Sequence, residues 1–187
     1  MYPNAELDLK SVYYEDIMRN ILLDEIEYAL VFSPIVKNER MINWEERFEF
    51  VVLKDFPLYC VMNNRMNLAK QKSISMNTIL QHDIVSWEPE TDRIFSMKKI
   101  FKCYDPDKEI TVVKHKKIYE KMLKEKNVVA LSGSINNEFS DTGNVAYIPL
   151  SDDSIYAEFG YVKLKERKLS IQSQIVLEML KDYLKTV

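Results

Sequence analysis

Residues 59–87 read YCVMNNRMNLAKQKSISMNTILQHDIVSW and change character several times within one short stretch. Apolar, strand-like residues give way to a polar run from Asn63 to Lys72, then to a helix start near Met76, then to strand again at Asp83. Ser75 precedes the apolar positions Met76, Ile79 and Leu80, where its oxygen can accept a free amide of the first turn. Strand, polar crossing, helix and strand in immediate succession indicate an α/β chain.

The flanking sequence continues the alternation. Glu6–Lys10, ELDLK, alternates with period two, as a half-covered strand does. In SVYYEDIMRNILLDEIE the residues Ile17, Met18, Ile21, Leu22 and Ile26 recur at helical spacing. YALVFSP reads as a buried strand closed by Pro34, and FEFVVL and LYCVM follow as strands. Beyond DIVSW come a helix over Arg93–Lys102, a YDPD turn, the strand EITVV and a lysine-rich helix over His115–Lys126. VVALS is a further strand with the β-branched character of a buried one. SDTGN marks a loop, VAYIPL and Ile155–Leu164 are strands, and Ile171–Leu184 form a final amphipathic helix. Helices between strands predict largely parallel sheets, with ligands outside the carboxyl ends of the strands.

Composition narrows the function classes. The chain has 187 residues, 47% hydrophobic and 29% charged, enough to bury a core as one domain or two small lobes. A net charge of −3 gives no general attraction to phosphate backbones or anionic membranes. Lysines from Lys98 to Lys126 are interspersed with Asp105, Asp107, Glu109, Glu120 and Glu125, the pattern of a solvated face. Cys60 and Cys103 have no nearby Cys/His set, so neither a disulfide framework nor a zinc site is indicated. No membrane-length apolar run or export signal is visible, and the expected location is the cytoplasm. The imidazoles, His82 and His115, stand in no metal or nucleophile motif, and KNVVALSGS lacks the Gly-Lys-Ser/Thr ending of a phosphate loop. Catalysis, a metal and a cofactor are therefore not expected.

The segments YPNAELDL, LLDEIEYALVFS, LYCVMNNRMNLAKQKSISMNTILQHDIVSW, VAYIPLSDD and KERKLSIQSQIVLEMLKDYL occur in an order that resembles the effector-binding domain of LysR-type transcriptional regulators. That family writes a tyrosine-proline before its second strand, a DLAI-like strand, and a strand leading into HPLA and an ISLEDL-like helix. Here Met66-Asn67 replace the HP, and KEKN replaces a glycine-rich turn before Val128. The resemblance implies an α/β, two-lobed periplasmic binding protein-like (type II) fold, truncated at the N-terminus, with a ligand cleft between the lobes. Residues 1–82 and 149–187 would form the first lobe and 83–148 the second. The polar run after Asn63 would then rim the cleft. The missing first strand and helix would leave part of the first lobe uncovered unless another chain or a rearranged terminus covers it.

With that layout, candidate ligand-binding residues are those at predicted strand ends: Ser33, Asn63, Ser86, Trp87 and His115. Hydroxyl, amide and imidazole groups can hold a polar or anionic ligand, and an aromatic ring can wall it. Each also has a structural reading. Ser33 can shape the turn at Pro34, Asn63 can be a solvated turn residue, and Ser86 a satisfied buried hydroxyl. Trp87 can be core and His115 a solvated helix start. The expected function is effector sensing and dimerisation in a LysR-type regulator, with a small polar or anionic metabolite as ligand and a homodimer as the assembly. No DNA contact is expected from this chain itself. The alternatives are a small cytoplasmic α/β enzyme and a stand-alone solute-binding protein.

Overall fold

The computed structural model describes residues 8–10, 12–88, 97–133 and 144–186. It contains two sheets joined through one shared core. Helix α1 (Tyr14–Leu22) lays Ile17 and Ile21 on the first sheet and ends where Asp24 takes a positive φ of 61°. It is shorter than its apolar pattern predicts, because that left-handed residue interrupts the helix before Ile26.

The first sheet has the order β2-β1-β9-β3. Strand β1 (Ala29–Val36) turns back into β2 (Glu39–Arg40) through Lys37 and Asn38, whose φ values of 53° and 63° mark a two-residue hairpin turn with both residues left-handed. Strand β3 (Phe48–Pro57) and the later β9 (Ile155–Leu164) complete it, and every pairing is antiparallel. This departs from the expected parallel arrangement, and for the β1–β2 pair the connection gives the reason. β1 and β2 are joined by two residues, and a parallel pair needs a crossover of a dozen or more. At Gly160 in β9, a Cβ would lie 2.2 Å from the Val51 carbonyl oxygen and 2.9 Å from Cζ of Phe50. The Phe50 ring rests on the glycine.

Only Leu58 separates β3 from β4 (Tyr59–Asn63), yet β4 belongs to the second sheet. The chain thus changes sheet at Leu58 rather than at Asp83. The second sheet has the order β6-β5-β7-β4-β8. After β4 come a 3-10 turn (Asn67–Lys70), helix α2 (Met76–Ile79) and β5 (Asp83–Trp87). Ser75 caps α2 as expected, its Oγ accepting the Thr78 N–H at 3.2 Å. Helix α3 (Met97–Tyr104), β6 (Ile110–Val113), α4 (Lys116–Glu125), β7 (Val128–Ser132) and β8 (Val145–Pro149) follow. β5 is parallel to β6 and β7, whereas β4 is antiparallel to β7 and β8. Of the predicted helix over Arg93–Lys102, residues 93–96 lie outside the described residues, as do 140–143 of SDTGN and 6–7 of ELDLK. Residues 8–10 carry no strand assignment.

Helices cover both faces of the second sheet. Phe101 and Ile100 of α3 and Ile79 of α2 pack with Cys60, Met62, Ile84 and Val129. That cluster reaches Val36, Ile155 and Ala157 of the first sheet. On the opposite face, Tyr119 and Leu123 of α4 cover Val61, Val85 and Ala130. Helix α5 (Ile171–Leu184), capped by Ser170, returns to the first sheet, where Lys54 Nζ donates to the Leu184 carbonyl at 2.6 Å.

Candidate ligand cleft

Strand direction decides which candidates meet. β5 and β6 run parallel to β7, and β7 is antiparallel to β4 with Ser132 opposite Tyr59. The carboxyl ends of β5, β6 and β7 therefore lie level with Tyr59, beside the crossing at Leu58. In the first sheet Val36 is opposite Ile155, and Pro57 is opposite Tyr156. The carboxyl ends of β1 and β3 therefore lie at the same junction.

Ser86, Trp87 and His115 lie at these ends, and Ser33 lies inside β1 before its end. Ser86 and Trp87 close β5, and His115 follows β6 as the N-cap of α4. Ser86 is 2% exposed, with its Oγ 3.4 Å from Glu88 Oε1. Trp87 is 38% exposed; its Nε1 donates to the Lys114 carbonyl at 3.2 Å, and the Lys116 ammonium stands 5.8 Å from its ring centre. It is an exposed residue rather than core. His115 is exposed and makes no side-chain cap bond, so its imidazole is not committed to holding α4. Ser33 lies in the last half of β1, fully buried, and its Oγ has no hydrogen-bond partner among the described residues. A buried hydroxyl in that state carries an unrepaid desolvation cost.

Asn63 is placed elsewhere. β4 runs away from the junction, so its carboxyl end lies at the far edge of the second sheet, opposite Val145. There the Asn63 amide donates to the Lys124 carbonyl and accepts the Arg65 N–H at 2.9 Å. Both halves of the amide serve the end of α4 and the turn after β4.

Two basic residues at the junction were not singled out by the sequence. Arg40 donates to Glu158 through Nε at 2.7 Å and Nη2 at 3.3 Å, and its guanidinium lies 5.3 Å from the Phe50 ring centre. Glu158 pairs in register with Ser33. The hydrogen bond to Glu158 raises the Arg40 pKa and keeps it charged. Lys37, in the hairpin turn, donates to the Cys103 carbonyl at 2.7 Å and lies 4.8 Å from the Tyr104 ring centre. This ties the first sheet to the carboxyl end of α3, where a cation is favoured by the helix dipole. A polar dipeptide after a strand signals the turn, but nothing local signals its contact 66 positions away.

Among the described residues, no group of three or more His, Cys, Asp or Glu side chains is placed to hold a metal. No described helix is long and apolar enough to cross a membrane. The Cys60 thiol is pushed up to about 12 by burial, which makes it a core group rather than a nucleophile.

Two α/β halves, joined by short crossings and with strand ends facing the junction, define a two-lobed ligand-binding domain of the periplasmic binding protein-like type II class. The chain belongs to the LysR substrate binding domain family, whose model matches residues 1–185. Similar solved structures include HinK, a LysR family transcriptional regulator from Pseudomonas aeruginosa, at 11% identity and TM-score 0.74, covering 97% of this chain and 61% of that one. The effector binding domain of QuiR in complex with shikimate has 14% identity and TM-score 0.66, with 94% and 79% covered. The BenM effector binding domain with its effector benzoate has 14% identity and TM-score 0.68, with 91% and 74% covered. The chain spans 63% and 61% of the first two regulator structures it matches. No curated protein sequence matches it. The family is one of transcriptional regulators and is not an enzyme class.

Proposed function

We propose that the chain senses a small polar or monoanionic metabolite at the junction of its two sheets, with Ser33, Ser86, Trp87 and His115 facing that ligand. The observation that carries this reading is the convergence of the carboxyl ends of β1, β5 and β6 on the Leu58 crossing, which brings three separated segments to one place. The unpartnered Ser33 hydroxyl supports it, because a ligand acceptor there would satisfy a buried donor. The ligands bound by the QuiR and BenM effector domains, shikimate and benzoate, are small carboxylates and agree with that chemistry.

The lobes in this reading are the two sheets with their helices. A ligand changes their mutual geometry only if it binds one arrangement more tightly than another. Through a homodimer, that change would alter the setting of attached DNA-binding domains in a longer regulator, in the cytoplasm. The chain itself makes no sequence-specific contact with DNA.

The deciding experiment is a thermal-shift screen of carboxylate metabolites, with Trp87 fluorescence as the second readout and Trp87→Phe separating its signal from that of Trp44. A binder raises the melting temperature. Ser33→Trp and His115→Ala weaken it while the protein stays folded; unchanged affinity in both rejects the site. Sedimentation at tens of micromolar tests the dimer, a range suited to weak association. A well-folded monomer counts against it, and a footprint on a defined operator by this chain counts against the DNA statement.

A further inference from the structure

The two halves touch through polar as well as apolar groups where the β1–β2 turn meets α3. Lys37 and Asn38, both at positive φ, make that turn. The Lys37 ammonium donates to the Cys103 carbonyl at 2.7 Å and stands 4.8 Å from the Tyr104 ring centre. Just after β2, Met41 brings its Sδ to 3.9 Å from the Cys103 Sγ. Cys103 and Tyr104 close α3 in the second half. Val36, the residue before the turn, shares a buried cluster with Ile100 and Phe101 of α3, and Met41 and Tyr104 pack against it.

These contacts divide the work. Apolar burial is non-directional, so the cluster holds the halves together over a range of tilts. A hydrogen bond weakens steeply with misalignment, so the Lys37 contact selects one of them. The position suits a cation, because the carbonyls at a helix carboxyl end carry partial negative charge. Both ends of the contact also lead toward the candidate ligand groups. Ser33 lies in the strand that ends at the turn, and Ile100 packs in the cluster of Ile84, the strand neighbour of Val85 and Ser86.

We propose that Lys37 braces the two halves in the arrangement that the ligand bridges, and so sets effector affinity without touching the effector. This rests on the ligand site proposed above. A ligand between Ser33 of one half and Ser86, Trp87 and His115 of the other favours the same joined arrangement as the brace. Two contacts that favour one state assist each other. Without the brace, only a fraction of chains is competent at any moment, and the apparent Kd rises by the inverse of that fraction.

The brace can be read without a ligand. Met41→Cys sets a second thiol near Cys103, while Cys60 stays buried. Dibromobimane bridges neighbouring thiols and fluoresces once both have reacted, so its closure rate follows the braced fraction. Lys37→Met keeps the side-chain length and removes the charge and the donor. It should slow closure about threefold to tenfold, the range for loss of a hydrogen bond and a cation–π contact at a partly exposed site. Benzoate is the carboxylate probe. Lys37→Met alone should raise its Kd by the same factor, and saturating benzoate should restore the closure rate. After bridging, Met41→Cys chains with Lys37 and with Lys37→Met should bind benzoate equally. An unchanged closure rate in Lys37→Met overturns the brace, whether or not benzoate binds. A loss of affinity that bridging does not restore also overturns it, because Lys37 would then touch the ligand itself. Slower closure in a chain that binds no benzoate upholds the brace and counts against the carboxylate reading of the cleft.

Discussion

In the first sheet β1, β9 and β3 lie antiparallel, with β9 in the middle; in the second, β5 lies parallel to β6 and β7, with antiparallel β4 and β8 beside them. Connection length accounts for the antiparallel β1–β2 pair and for the parallel run of β5, β6 and β7. Two residues join β1 to β2, whereas α3 and α4 lie between β5, β6 and β7. Helical crossovers also place helices on both faces of the second sheet, so β4 and β7 are buried almost throughout. β3, by contrast, alternates between half-buried and exposed residues along most of its length. The second half has an apolar core on both faces of its sheet, and the first combines the cluster of Ile17, Ile21, Val31 and Val162 with close backbone packing around Gly160.

The sharpest way to break this contrast is Gly160→Val. Its Cβ would overlap the Val51 carbonyl at 2.2 Å, a backbone atom that cannot swing aside. Soluble expression followed by circular dichroism should find no native fold, and a folded variant within about 1 kcal/mol of wild type would refute the packing account. Phe101→Ala in the second half leaves a cavity in a fully buried site and should cost about 3–5 kcal/mol in urea unfolding. Because the Phe101 cluster includes Val36, Ile155 and Ala157, both halves should lose structure in one transition. Two separate transitions would show that the shared core does not couple them.

Cys60 gives a pH-dependent test. Burial raises its thiol from 9.0 to about 12 in the folded chain, so on unfolding it becomes the stronger acid. Its contribution is complete below about pH 9 and declines as pH rises toward 12, by about 1.4 kcal/mol per unit within that window. The difference in stability between wild type and Cys60→Ala should follow that slope. Thiol labelling at pH 8 should modify the exposed Cys103 and leave Cys60 untouched until the protein unfolds. The smallest effects come from the caps. Ser75→Ala and Ser170→Ala, one at each half, each remove an oxygen that accepts a first-turn amide and should cost about 1 kcal/mol in chemical denaturation.

Local pattern was enough to locate most elements. The Ser75 cap, the helix after His115 and the final helix follow from spacing and capping chemistry, as does the strand beginning at Ala29, although it runs through Pro34 to Val36 instead of closing at the proline, whose missing N–H faces away from β9. Direction was not legible. Asn63 closes a strand as expected, but periodicity is the same whichever way a strand runs, and β4 runs away from the junction. Nor does pattern reveal which sheet a strand joins, so the crossing at Leu58 was hidden inside a continuous apolar run. Ser86, Trp87 and His115 do lie at strand ends as the spacing suggests, whereas Ser33 lies inside β1. Arg40 and Lys37 were not legible, because their partners, Glu158 and Cys103, are remote in sequence.

The crossing at Leu58 also sets the molecule's modularity. Pro57 is opposite Tyr156 in the first sheet, Tyr59 is opposite Pro149 in the second, and the Leu150 amide donates to the Leu58 carbonyl at 3.0 Å. The second half is thus an insertion whose two ends meet inside a β3–β9 hairpin. A short turn joining Pro57 to Tyr156 would close the host, and another joining Pro149 to Tyr59 would circularise the guest. Excision would nevertheless strip Val36, Ile155 and Ala157 of their neighbours. By connectivity the two pieces are separable; by packing they are one folding unit.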